Sequence, residues 1–538
     1  MDFPGSPRSA SSSSSYHTAP RSPMSIAEDM SAIGSSYRSA VPMTEDIRQH
    51  IHIYLDEGLY YNALILLTDL VTAGASCPNP QKPIYAPAPL HIELVSALLI
   101  HPKHTNQAPA EERAELASQS ITFLRNVLAI LGPLNANLAD AFSFTTHSSS
   151  RTLRRSRNAV ELDDGSSGSD TEDGFERMRG VIANKGRIRN CAKDFWHMVG
   201  WAFNCSVKYP KRWKFWKVWL DFMLDVLDAD WKERETLGAD GNLENSLLLK
   251  YLSEVRGRSS PMKRVIRSAF AAGTLEDLQE FPQVFANETK ELKVQNGQKR
   301  KRGDPMERKL GHYEEEEASS AELTDQASQD EDDTEDIDSW IGGPESIMLR
   351  QRVVTLLSRA ADALPEVFVD CKDLYEAVFT CVKPLPLPAF SLLLSPSTSS
   401  QFPTVVYVSL TQLILRRFLP SSAPRPGVDN DELSQVILEQ CYLPFSATTS
   451  SISDNAKVSI LVESLLRLLV RVKLTFHTPS LDTAIEDGIK ARESRFKGDK
   501  KKKDTATRRK DEKDMLCLRG SGQRLRSLFS WIEQQEPA

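Results

Sequence analysis

The seven cysteines of this 538-residue chain stand at irregular spacing, and none forms a Cys-x-x-Cys pair. That excludes a disulfide framework and the common zinc ribbons, and fits reduced thiols in a cytosolic or nuclear protein. There is no Gly-x-Ser-x-Gly, no Gly-x-x-x-x-Gly-Lys and no Gly-x-Gly-x-x-Gly. A nucleophile elbow, a P-loop and a dinucleotide turn are therefore all missing. No run reaches the ~18 apolar residues of a membrane span. The best, Val458 to Val472, is broken by Glu463, Arg467 and Arg471. The start, Met-Asp-Phe-Pro followed by serines, lacks the pattern of a secretory leader. Nor is there a broad basic excess, since the net charge is −7, which argues against a generic nucleic-acid coat. No catalytic residue, metal ligand, cofactor or membrane contact is expected.

What is present is tryptophan, concentrated in one place. Six of the eight lie between Trp196 and Trp231, namely Trp196, Trp201, Trp213, Trp216, Trp219 and Trp231. Trp213, Trp216, Leu220, Met223, Leu224, Leu227 and Trp231 recur at three- to four-residue steps and share one helix face. Large aromatics in such a stripe usually serve burial, so core packing is the stronger reading. The competing reading is a surface that stacks bases on aromatics and holds phosphates on Lys208, Lys211, Arg212, Lys214 and Lys217. Asp221, Asp225 and Asp228 step along the same helix. They read as a solvated face with pairs such as Lys217–Asp221, rather than as a metal or acid–base site.

Length suggests two to four domains, and composition divides the chain into eight stretches. Residues 1–43 form a Ser/Pro-rich arm expected to be disordered, and 44–145 an N-terminal helical segment. Residues 146–177 form a disordered acidic linker, and 178–290 the tryptophan-rich helical segment. A disordered basic-then-acidic insert spans 291–343 and a C-terminal helical lobe 344–480. A basic low-complexity segment (481–518) and a short helix (519–538) close the chain. Pro403 to Leu410, with Val405, Val406 and Val408, is the one stretch that could pass for a strand.

The charge blocks supply the remaining candidates. Lys299, Arg300, Lys301 and Arg302 match a tract read by nuclear import receptors, with a second basic block at 500–510. An acidic tract, 314–338, reads as a solvating spacer or a contact for basic partners. Beyond it, Trp340 and Ile341 could anchor a partner groove. Ser6 and Ser22 precede prolines, and Ser167 and Ser169 have an acidic residue three positions on, so these four are candidate phosphorylation sites.

The fold expected is all-α, an irregular HEAT-like helical solenoid in two lobes, about 44–290 and 344–480, with long disordered inserts. In general architecture this resembles the helical scaffold and loader subunits of chromosome-maintenance machines, including those of SMC-type complexes. The function expected is a non-enzymatic nuclear scaffold or adaptor in DNA repair or an SMC-type assembly, contacting protein partners and an import receptor. Two alternatives stand beside it. One is direct nucleic-acid binding through the basic aromatic helix 208–219; the other is ribosome-biogenesis or RNA-polymerase assembly.

Overall fold

A computed structural model describes residues 37–76, 82–144, 180, 182–183, 186–238, 241–255, 260–290, 341–396, 400–426, 433–494 and 505–535. These belong to one unit that runs from Tyr37 onward. It is mostly helical, with nineteen helices among the described residues.

Three-residue strands β1 (Ala40–Pro42) and β2 (Ile84–Ala86) pair in parallel, Ala40 opposite Ile84. Between them in sequence lie α1 (Glu45–Asp56) and α2 (Tyr60–Ala75). Glu45 and Asp46 favour the positive end of α1, and Gly58 breaks the pair at φ +75. α3 (Pro89–Ile100) has proline at its start, where no N–H is missed, and is buried from His91 to Ile100. α4 (Ala110–Asn135) kinks at Gly132 and Pro133. Gly132 has φ +73 and lies so close to the Tyr37 ring that a Cβ would overlap it. α5 (Leu138–Ala141) and α6 (Ile188–Cys191) are short.

The tryptophans occupy α7 (Phe195–Lys208) and α8 (Pro210–Leu237). The Asp194 carboxylate caps α7 by accepting from the His197 N–H at 2.8 Å. Pro210 ends one helix and opens the next. α9 (Leu247–Ser253), α10 (Pro261–Phe270) and α11 (Leu275–Glu280) follow, with Ser246 and Thr274 as caps of the first and third. The later helices are α12 (Gly343–Ala363), α13 (Cys371–Val382), α14 (Leu387–Leu394), α15 (Thr404–Phe418) and α16 (Gln435–Ile437). A π-turn, Leu438–Tyr442, continues α16. α17 (Ile452–Arg471), α18 (Pro479–Ser494) and α19 (Thr505–Gln535) complete the chain.

Several expectations are corrected. The arm expected to be disordered to residue 43 includes β1, which β2 holds in place. Pro403 to Leu410 is no strand: Tyr407, Leu410, Thr411, Ile414, Leu415 and Phe418 follow helical spacing and are buried. Residues 481–494 and 505–518, expected to be low complexity, are helical. In α18, Leu481, Ala484, Ile485, Gly488, Ile489 and Arg492 form a buried face among the charges. The short C-terminal helix is the second half of α19, which lies along α17.

The two expected lobes share a seam. α12 runs parallel to α8, so that Glu345 meets Lys217 (2.8 Å). Arg352 then meets Asp221 and Asp225 (2.6 Å each), and Arg359 meets Asp228 (2.6 Å). The three aspartates therefore serve this seam, and Lys217 does not pair with Asp221. Beneath lies Arg350, fully buried without a carboxylate. It donates to the carbonyls of Ala269 and Ala271 at 2.8 Å each and stacks on Phe203 at 4.1 Å. Burial lowers its pKa to about 9.

Position decides what each arginine is worth. Arg350→Met leaves two buried carbonyls without donors and is expected to cost about 2–4 kcal/mol. Arg352→Ala breaks partly exposed ion pairs and should cost under about 1 kcal/mol, less in high salt. Urea unfolding midpoints of the two variants check this ordering.

Candidate functional site

The α7–α8 junction carries the residues that the sequence offers for contact with a partner. The structure divides them. Trp196, Trp201, Trp216, Trp219 and Trp231 are each at most 1% exposed and Trp213 is 8% exposed. Burial requires partners for the indole N–H groups. Trp196 donates to the Tyr251 carbonyl (2.9 Å), Trp219 to Ser96 Oγ (2.9 Å), Trp231 to Glu235 (2.6 Å) and Trp216 to Glu288 (3.2 Å). The Trp201 N–H has no hydrogen-bond partner among the described residues. Phe215 is half-buried, and among the described residues of α7 and α8 no tryptophan is exposed to stack a base.

Arg212 is likewise withdrawn from the contact set, because its guanidinium is buried. Nε and Nη2 donate to Glu288 Oε2 at 3.0 and 2.6 Å. Nη2 also reaches the Ile100 carbonyl (2.6 Å), and Nη1 reaches Thr105 Oγ1 (2.7 Å) and Asn106 Oδ1 (2.9 Å). The Glu288 carboxylate accepts in addition from the N–H groups of Val284 (3.0 Å) and Phe285 (3.4 Å). Burial raises the Glu288 pKa, and the charge and hydrogen bonds of Arg212 and the Trp216 N–H counter that rise. One pair thus ties the start of α8 to the end of α3 and to the 284–288 turn. Arg264 has a similar role, donating to Asp194 (2.8 Å) and Glu280 (3.1 Å).

What stays outside is cationic. Lys208, Lys211 and Lys214 are exposed, and Lys217 is half-buried against Glu345. Ile341 is 2% exposed, and its carbonyl accepts from Arg350, so it is core and not a partner anchor. Trp340, the tract Lys299, Arg300, Lys301 and Arg302, and Ser6, Ser22, Ser167 and Ser169 lie outside the described residues. Among the described residues, no cluster of His, Cys, Asp and Glu has metal-site geometry.

Sequence reasoning missed Glu288, Thr105 and Asn106. Nothing in their local pattern signals the role, since Glu288 lies 76 residues from Arg212. It also missed three buried histidines. His91 sits edge-on to His52 at 4.8 Å, and neither of its ring nitrogens has a hydrogen-bond partner among the described residues. His101 packs on Phe285. His197 Nδ1 accepts from the Lys193 N–H (3.2 Å) while Nε2 faces the Pro282 carbonyl (2.8 Å). Those contacts select the neutral ring with its proton on Nε2.

Burial lowers the pKa of His91 to about 3, and those of His101 and His197 to about 4. An unfolded chain binds these protons near pH 6.5, while the folded one refuses them. The stability contribution of the neutral rings is complete above pH ~6.5 and is lost as pH falls toward ~4 for His101 and His197 and ~3 for His91. Each ring steepens the loss by up to about 1.4 kcal/mol per pH unit. Urea unfolding at stepped pH checks this: His91→Leu should flatten the acid limb, and an unchanged slope would contradict it. No family model matches this chain, and no curated protein matches it significantly.

Proposed function

We propose that this chain is a non-enzymatic helical scaffold, an irregular HEAT-like array. In this reading it serves as an adaptor subunit of a nuclear chromosome-maintenance assembly, of the DNA-repair or SMC-attached kind. Support comes first from how the chemistry-bearing residues are used. The tryptophans, Arg212 and the aspartates of α8 are committed to packing and to the seam. Helices adjacent in sequence pack together, α1 on α2, α3 on α4 and α7 on α8, as helical arrays do. The basic tract 299–302 suits import into the nucleus.

The observation that carries the reading is an apolar rim near the end of α17. Val472, Leu474 and Phe476 are 47–65% exposed. Phe476 is held in place: its N–H donates to Gln435 Oε1 (2.7 Å), and Gln435 Nε2 donates to its carbonyl (2.9 Å). Val436, beside Gln435, is 57% exposed. Apolar side chains fixed outward by hydrogen bonds fit a protein contact.

Affinity purification of the tagged full-length chain from nuclei, with quantitative mass spectrometry, tests this. The expected result is a stoichiometric set of nuclear chromosome proteins that Leu474→Asp/Phe476→Asp weakens at least about tenfold, the effect of losing ~1.4 kcal/mol at a hot spot. Absence of any stoichiometric partner would count against the scaffold, and an unaffected complex against this rim.

A further inference from the structure

The segment that carries the apolar rim is short and pinned at both ends. At its start Lys473, at φ +58, turns the chain off α17. The N–H groups of Lys473 and Leu474 return to the carbonyls of Val470 (3.1 Å) and Leu469 (3.0 Å). At its end Thr478 caps α18, its Oγ1 accepting from the Leu481 N–H at 3.2 Å. Between these points the His477 ring packs on Phe529 at 4.8 Å.

A polar clasp holds the segment to α16 and its π-turn. Gln435 grips the Phe476 backbone, and its Nε2 donates as well to Glu439 Oε1 (2.7 Å) and Thr478 Oγ1 (3.3 Å). Thr478 Oγ1 donates in turn to Glu439 Oε1 (3.2 Å), and Ser480 Oγ donates to Glu439 Oε2 (2.8 Å). One carboxylate thus gathers an amide and two hydroxyls, and each of them brings it a hydrogen.

Thr478 is half-buried, and the two residues after it, Pro479 and Ser480, are exposed. Threonine followed by proline is what a proline-directed kinase reads. Ser260 and Ser395 also precede proline; Thr478 is singled out by the carboxylate against its hydroxyl. A phosphate there carries about −1.5 to −2 charges and replaces that hydroxyl hydrogen. Two anions then stand where a hydroxyl met Glu439, and Asp482 in the first turn of α18 adds a third. Phosphate oxygens suit a helix N-terminus, so α18 keeps its cap. The repulsion falls on the clasp.

We propose that Thr478 is a phosphorylation site and that its phosphate opens the clasp, releasing Phe476 and rearranging the rim. In the transfer, Thr478 Oγ bonds to the γ-phosphorus of a nucleoside triphosphate. The bond from that phosphorus to the bridging oxygen breaks, the diphosphate leaves, and the hydroxyl proton passes to a base of the kinase. The consequence for partner binding rests on the scaffold reading; the opening of the clasp does not.

Treatment of the full-length chain with a purified proline-directed kinase and ATP tests this, with hydrogen exchange read residue by residue before and after. Phosphate on Thr478 is expected, with the Phe476 N–H exchanging at least about tenfold faster and the Leu481 N–H still protected. Glu439→Gln removes the opposing charge, and phosphorylation of that variant should leave the Phe476 rate nearly unchanged. Thr478→Val, treated in the same way, should show no acceleration. Absence of phosphate at Thr478, or an unmoved Phe476 rate in the unaltered chain, would overturn the proposal. So would equal acceleration in either variant. None of these readouts needs a partner, so they stand or fall apart from the rim's role in binding.

Discussion

Burying six indoles on two consecutive helices is the constraint around which the described structure is arranged. A tryptophan removes up to ~250 Å² from water. At about 25 cal/mol per Å², six of them supply on the order of 30 kcal/mol before entropy is counted. Stacking a nucleic-acid base on an exposed aromatic is worth ~1–3 kcal/mol. The comparison explains why α7 and α8 turn their rings inward and leave lysines outside. The indole N–H groups then dictate neighbours: Tyr251 of α9, Ser96 of α3 and Glu288 of the 284–288 turn each answer one. Three of the six tryptophans thereby fix neighbouring elements as well as filling volume, while Trp231 donates to Glu235 one turn along its own helix.

The arginines add specificity at an energetic cost. Arg212 and Arg264 enter the core with carboxylates, Glu288 and Asp194. Arg350 and Arg492 enter with backbone carbonyls instead. Arg492 is held through Nη1 alone, and its Nε and Nη2 have no hydrogen-bond partner among the described residues. The donors of Arg212, Arg264 and Arg350 are matched, so each of these three specifies the relative placement of elements distant in sequence. Arg350 does this at the end of α10, where helix carbonyls lack partners of their own. Together with the Asp–Arg seam it makes α12 an extension of the tryptophan core rather than the start of a separate lobe.

Much of the helical pattern was legible because apolar spacing and proline punctuation agreed. Pro210 between α7 and α8, Pro261 at α10 and the stripe from Trp213 to Trp231 are examples. The misses have physical causes. β1 and β2 are three residues each, too short to alternate, and exist because they pair. The faces of α18 and α19 are narrow and set among charges, so composition hid them. At the junction, Lys211, Arg212 and Lys214 look alike in one dimension. Only Glu288, supplied from far along the chain, separates the buried arginine from the exposed lysines.

The inward placement of the tryptophans is tested most directly by fluorescence of a Trp340→Phe/Trp531→Phe variant, which retains only the six of α7 and α8. Blue-shifted emission that iodide hardly quenches, becoming red-shifted and quenchable in urea, is the expected result. Red-shifted emission quenched by iodide in the folded chain would contradict a tryptophan core.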